Sequence, residues 1–120
     1  MANEHADALA LLPLPLATFH ILLSLADEDR HGYAIMQDVA LRTRGALKLS
    51  AGTLYRSIQR MLEDGLVIEV DERPAPGMDD ERRRYYRITP LGAAAARAEA
   101  RRLQDLVKLA RSAGFAPGRA

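Results

Sequence analysis

The chain has 120 residues, of which 48% are hydrophobic and 28% charged, so it is long enough for one domain with a core of its own. Its net charge is only +1, so overall basicity does not argue for a nucleic-acid partner. Disulfides, thiolate metal sites and cysteine nucleophiles are excluded because there is no cysteine. The sequence shows neither the basic start of a secretory signal nor an apolar run of membrane-spanning length, which predicts a cytoplasmic protein with no membrane partner.

The first strong pattern along the chain begins at residue 16. Residues 1–13 are weakly patterned and are predicted to form an N-terminal extension, either a short helix or a frayed tail. Residues 16–27 are apolar almost all round, with Leu16, Phe19 and Leu23 on one stripe. A helix that is apolar on every side is typically buried, so we expect this one to stand at the centre of the fold.

A pair of helices follows, joined by a short turn. The first is predicted from residue 32 to about residue 44, where Gly45 is suited to end it. The second is predicted from Ser50, a residue that favours helix starts, to Gly65, a residue that favours helix ends. This arrangement indicates a helix-turn-helix unit.

The second helix of this pair separates an apolar stripe from a polar face when it is wound at helical periodicity. The stripe consists of Leu54, Ile58, Met61 and Leu62. The opposite face carries Arg56 and Arg60, with Thr53 on its border. Arginine can reach guanine edges or phosphates, and threonine can bond a phosphate, so this face suits a DNA major groove. The alternative is an ordinary surface helix with solvated arginines.

Two further residues of this helix have two readings each. Ser50 is mainly a helix cap, although the amides of a helix N-terminus also bind phosphate. Tyr55 borders the apolar stripe, either with its ring buried and its hydroxyl at a phosphate, or as a purely packed tyrosine. The predicted DNA-binding residues of the helix are Ser50, Thr53, Tyr55, Arg56 and Arg60.

The periodicity changes after Gly65. Residues 66–71 alternate as in a half-buried strand, residues 73–81 form a loop rich in Pro, Gly and Asp, and residues 83–89 form a second strand. The second helix of a helix-turn-helix unit, which reads the DNA, is called the recognition helix. A hairpin that directly follows it is called a wing. The predicted fold is therefore mainly α with a small β-hairpin, a winged helix-turn-helix over residues 14–89.

The basic run Arg82, Arg83 and Arg84 begins the second strand of the hairpin. In a wing, these arginines would reach the minor groove or the DNA backbone, where the negative potential favours them. Alternatively, they form a solvated strand end that pairs with the acids at 79–81. Strand alternation turns at least one of the three away from the DNA.

A long helix is predicted over residues 90–113, started by Thr89 and Pro90 and followed by a tail at 114–120. Charged residues, among them Glu99 and Arg102, are placed on its outer face. The preceding domain is already complete, so we expect nothing within the monomer to cover the apolar face and predict a homodimer. The predicted dimerisation residues are Leu91, Ala95, Ala98, Leu103, Leu106, Leu109 and Ala110.

Several short motifs resemble the PadR family of bacterial transcription regulators. They are His31-Gly32-Tyr33, Gly52-Thr53-Leu54-Tyr55, Leu62-Glu63-Asp64-Gly65-Leu66 and the segment 84–92. The resemblance, over residues 14–110, implies a winged-helix DNA-binding domain, a dimerising C-terminal helix and, usually, repression that a small molecule relieves. The chain has no tryptophan, so the aromatic-drug pocket of some short family members is not expected here.

No catalytic, metal or cofactor site is predicted. His5, His20 and His31 are too scattered for a metal-ligand set, and no nucleophile lies at a suitable spacing from a base. The predicted function is a homodimeric repressor that binds a pseudo-palindromic operator in double-stranded DNA and is released by a small-molecule effector. The alternatives are a protein-interaction module built on the same scaffold and a small-molecule sensor whose DNA binding is secondary.

Overall fold

The computed structural model describes residues 4–74 and 82–115. Its elements in chain order are α1 (Glu4–Ala10), α2 (Leu16–Ser24), β1 (Arg30–His31), α3 (Gly32–Arg42), α4 (Ala51–Glu63), β2 (Val67–Pro74), β3 (Arg82–Ile88) and α5 (Pro90–Ser112). This order confirms the predicted architecture of a winged helix-turn-helix followed by a long helix. The weak N-terminal pattern belongs to the short helix α1.

The sheet contains one strand more than predicted. Its order is β1-β3-β2, and both pairs are antiparallel. Strand β1 is only two residues long, Arg30 and His31, which pair with Tyr86 and Tyr85 of β3. Two residues are too few to show the alternation by which a strand is predicted from sequence. Tyr86 is buried, whereas Tyr85 is half-buried and meets the His31 ring edge-on at 5.4 Å between centroids.

Helix α2 is central, as predicted, but only part of its circumference lies in the core. Ile21, Leu22 and Leu25 are buried, whereas Leu16 is 64% exposed and Leu23 is also exposed. The expectation that this helix is buried on every side is therefore wrong. A helix that is apolar on all sides carries no periodic signal for its buried face, so the packing of α3, α4 and α5 against it selects that face.

Side-chain caps fix the starts of α4 and α5. The Ser50 hydroxyl accepts a hydrogen bond from the Thr53 backbone N–H at 3.1 Å, which confirms its capping role. The Thr89 hydroxyl accepts from the Gly92 N–H at 2.9 Å and donates to the Gly65 carbonyl at 2.6 Å. Because Gly65 lies two residues beyond the last residue of α4, Thr89 also ties the start of α5 to the end of α4.

The two halves of α5 have different surroundings. In the first half, Ala95 is fully buried against the chain's own core and Leu91 packs on the same core, with α1 and α2 alongside. In the second half, Leu103, Leu106 and Leu109 are exposed. The expectation that nothing within the monomer covers this face is therefore wrong for the first half. Helix α1 covers this part of α5, and its weakly patterned sequence did not predict that contact.

Candidate nucleic-acid interface

The Thr43 side chain helps to hold the turn between α3 and α4. The Thr43 hydroxyl donates to the Val39 carbonyl at 2.8 Å and accepts from the Leu47 N–H at 3.0 Å. The chain reverses through Arg44 and Gly45, which both have positive φ, and glycine adopts this conformation without strain. These contacts fix where α4 starts relative to α3.

Arg56 lies on the exposed face of α4. Its Nη1 atom lies 3.7 Å from the place where a Cβ atom on Gly52 would stand, so the guanidinium folds back towards the helix N-terminus. Within the residues that the structure describes, no carboxylate forms an ion pair with it. Thr53 lies on the same side, where its hydroxyl oxygen accepts a hydrogen bond from Ser50. Both side chains are therefore available at the N-terminal half of α4.

Arg60 differs from Arg56, although both lie on the same polar face. Its Nε atom is 3.6 Å from the Asp64 carboxylate, one turn further along the chain. Its side chain also borders a cleft formed by the segment that precedes α2. The two predicted DNA-binding arginines of α4 therefore differ: among the described residues Arg56 has no acidic partner, whereas Arg60 is loosely paired with Asp64.

Tyr55 does not bury its ring, although both of its readings expected a packed ring. It is 51% exposed, and its hydroxyl lies against Gly32 at the start of α3. A Cβ atom at Gly32 would collide with that hydroxyl, so the glycine gives the tyrosine its position. The sequence placed Gly32 at the start of a helix and in a family motif, but it did not reveal this contact.

The wing presents Arg84 beside Glu69. The Arg84 Nε atom lies 3.3 Å from a Glu69 carboxylate oxygen, and both side chains are largely exposed. Arg82 and Arg83 begin strand β3, but their side chains lie outside the described part of the chain. Their contact with DNA therefore stays a prediction from their place in the wing.

Three other arginines, Arg30, Arg42 and Arg87, are held by acids and serve the fold. Arg87 forms two hydrogen bonds with Asp29, of 3.1 and 2.9 Å, which raise the pKa of Arg87. Arg42 donates to Asp38 at 2.6 Å, and Arg30 lies 3.7 Å from the same carboxylate. Burial of Asp38 opposes its ionisation, but hydrogen bonding, chiefly from Arg42, and the charge of Arg30 hold its pKa below the ordinary value.

Glu99 has a role that sequence analysis missed. It was placed on the outer face of α5, yet it is only 3% exposed. Its carboxylate accepts the Leu14 backbone N–H at 3.1 Å and two hydrogen bonds from Arg102, of 2.9 and 2.6 Å. These bonds, Arg102 first, outweigh burial and lower the pKa of Glu99. A single buried acid among surface charges gives no sequence signal, because its burial depends on parts of the chain that are distant in sequence.

The described residues contain no group of three or more His, Cys, Asp or Glu side chains that could hold a metal ion. Nor does any helix in the described ranges combine the length and apolarity that a membrane span requires.

Comparison with known proteins agrees with this geometry. Residues 21–98, most of the winged-helix unit and the first part of α5, match the model of the family described as the transcriptional regulator PadR-like family. The chain belongs to the PadR-like family. Because the members of this family are transcriptional regulators, membership also confirms the prediction that the protein is not an enzyme.

Individual relatives support the same assignment. Transcriptional regulator Rv3488 of Mycobacterium tuberculosis is 36% identical over 89 residues, which are 74% of this chain and 77% of that protein. A transcriptional regulator from Clostridium thermocellum superposes with a TM-score of 0.68 at 26% identity, covering 81% of this chain and 90% of that one. Bacillus subtilis PadR, solved in complex with operator DNA, shares the fold with a TM-score of 0.62 at 14% identity, over 72% of this chain and 47% of that one.

Proposed function

We propose that this PadR-like protein regulates transcription by binding double-stranded DNA with α4 in the major groove. The observation that carries the proposal is the N-terminal half of α4, where Arg56 and Thr53 are presented on a capped helix after a rigid turn. In helix-turn-helix proteins, the N-terminal residues of the recognition helix contact base edges. The operator complex of the Bacillus subtilis relative supports the same use of the fold.

Each predicted contact residue has a distinct role in this proposal. Arg56 reads a base edge, and Thr53 and Tyr55 contact the phosphates that flank it. Ser50 contributes through the helix N-terminus that it caps, because free amides there attract phosphate. Arg60, held loosely by Asp64, reaches a phosphate at the edge of the site.

The wing completes the contact surface of the proposal. Arg84 is exposed beside Glu69, and arginines at a wing bind the DNA backbone or a narrow minor groove. Arg82 and Arg83 extend the same basic run. Such contacts add affinity without reading the sequence.

The active form that we propose is a homodimer joined through the second half of α5. Leu103, Leu106, Val107 and Leu109 are exposed there, and no described part of the chain covers them. Ala98 and Ala110 are half-buried and continue this surface. A two-fold dimer would place two α4 helices on a pseudo-palindromic operator whose half-sites are about one helical turn apart. By its resemblance to the family, we further propose repression that a small-molecule effector relieves.

A binding titration with the full-length protein tests the DNA proposal. Fluorescence anisotropy would compare the DNA upstream of its own gene with a scrambled duplex of the same length. We expect tighter binding to the upstream DNA, and a steep loss of affinity between about 50 and 200 mM salt, because bound arginines displace counterions. Equal, weak binding to both duplexes would contradict the proposal and favour a protein-interaction module.

A further inference from the structure

A cleft of about 320 Å³ lies between the N-terminal segment and the C-terminal end of α4. This volume is at the small end of the range for ligand sites. Apolar side chains from three parts of the chain form most of its wall, namely Leu11, Pro13, Leu14, Met61 and Leu66. The cleft belongs to a single chain and does not include the proposed dimer surface.

The polar lining of this cleft carries one positive and one negative charge. The Arg60 and Asp64 side chains are 3.6 Å apart, which is longer than the 2.7–2.9 Å or so of a well-formed charged hydrogen bond. Both groups therefore keep hydrogen-bonding capacity for a third molecule. Thr18 also lines the cleft and is only 5% exposed, and no described residue forms a hydrogen bond with its hydroxyl.

We propose that this cleft binds a small zwitterion with an apolar side chain, of which an aliphatic α-amino acid is the simplest. The ligand carboxylate would bind Arg60, its ammonium group Asp64, and its side chain the apolar wall. A carboxylate without an amine would meet repulsion from Asp64, and an amine without a carboxylate would meet repulsion from Arg60. A zwitterion satisfies both charges and adds no net charge to the site.

The position of the cleft couples this ligand to DNA binding, an inference that rests on the proposed function. Leu14, in the cleft wall, is bonded through its N–H to Glu99 of α5, and Arg60 belongs to α4. A ligand that holds Arg60 in the cleft withdraws it from phosphate. Operator affinity should therefore fall by about fivefold or more when the ligand is bound, and by linkage the operator should weaken ligand binding by the same factor.

The first test measures ligand binding by the full-length protein without DNA. Leucine is compared with isocaproate, which lacks the amine, and with isoamylamine, which lacks the carboxylate. We expect leucine, in large excess over its Kd, to raise Tm by about 4 °C, and the two analogues to have little effect. A shift from isocaproate equal to that from leucine would overturn the zwitterion proposal, and so would no shift from leucine.

Single substitutions test the ligand-binding proposal separately from the DNA-binding proposal. Asp64→Asn should lower leucine affinity at least about tenfold, because the ammonium group loses its charged partner. Operator affinity without leucine should not fall, because Asp64→Asn releases Arg60 from its acidic partner and leaves Arg56 in place. Thr18→Val should weaken leucine binding without altering the charges of the cleft. Arg56→Gln is the matched control on the same helix: it should keep leucine binding and lose operator affinity. Unaltered leucine binding by Asp64→Asn would overturn the cleft proposal whatever the DNA result.

Discussion

The backbone N–H of Leu14 donates a hydrogen bond to the Glu99 carboxylate at 3.1 Å, across 85 positions of the sequence. The same carboxylate binds Arg102, so its charge is compensated although the residue is buried. This contact fixes the segment between α1 and α2 on the long helix. It therefore helps to set how α5 lies relative to the winged-helix unit.

Replacing Glu99 tests this relationship. Glu99→Ala should lower the free energy of unfolding by about 1.5–3 kcal/mol, because it removes charged hydrogen bonds and leaves the Leu14 N–H without its acceptor. Urea denaturation would measure the loss. Asp105→Ala, an exposed acid on the same helix, should change stability by no more than about 0.5 kcal/mol. Equal losses of unfolding free energy from the two substitutions would show that the buried contact does not stabilise the fold.

Stability should also fall in acid. The folded-state pKa values of Glu99 and Asp38 both lie below their ordinary values of 4.5 and 3.8. Each carboxylate therefore contributes its full stabilisation at a pH above its ordinary pKa. This stabilisation is lost as the pH falls through the lower pKa of the folded state. Urea denaturation between pH 7 and pH 3 should show the decline beginning near pH 4.5. Glu99→Gln should show a shallower decline, and an unchanged slope would contradict the assignment.

Arg56 should carry sequence specificity. Arg56→Ala is expected to cost about 1–3 kcal/mol of operator binding and to relax the preference at one base pair. A panel of operators with single base-pair changes, titrated by anisotropy, would locate that position. Arg111→Ala, near the end of α5, is the control and should bind as the wild type does. A uniform loss over the whole panel would instead mark Arg56 as a phosphate contact.

Arg84 should contribute affinity without specificity. Arg84→Ala is expected to weaken binding to all duplexes alike and to reduce the slope of log affinity against log salt by about one, as for one lost phosphate contact. The same titrations, run at several salt concentrations, measure both quantities. If the variant has the same salt dependence as the wild type, Arg84 stays paired with Glu69 and makes no phosphate contact.

Leu106 tests the proposed dimer. Leu106→Glu should favour the monomer, because it places a charge on the exposed apolar surface of α5 that we propose is buried between two chains. Light scattering coupled to gel filtration would report the mass. Gln104→Glu is the control, since it adds the same charge about 200° around the helix. A monomeric wild type at micromolar concentration would contradict the dimer itself.

Local sequence signals were sufficient for most of the elements. The apolar stripe of α4, its Ser50 cap and the Thr89-Pro90 start of α5 depend on residues within one or two turns, so periodicity and capping rules found them. The hairpin followed from alternation. The choice of Arg56 as a DNA-facing residue likewise needed only the helical winding of α4, and it remains a proposal until binding is measured.

The tertiary structure alone decided which surfaces are covered and which charges are free. The buried face of α2, the cover that α1 provides for α5 and the burial of Glu99 all depend on contacts between distant parts of the chain. The same holds for the arginines: Arg87 is paired with Asp29, 58 positions away, whereas Arg56 is unpaired among the described residues. Sequence determines what one element can present, but burial and pairing depend on the other elements that fold against it.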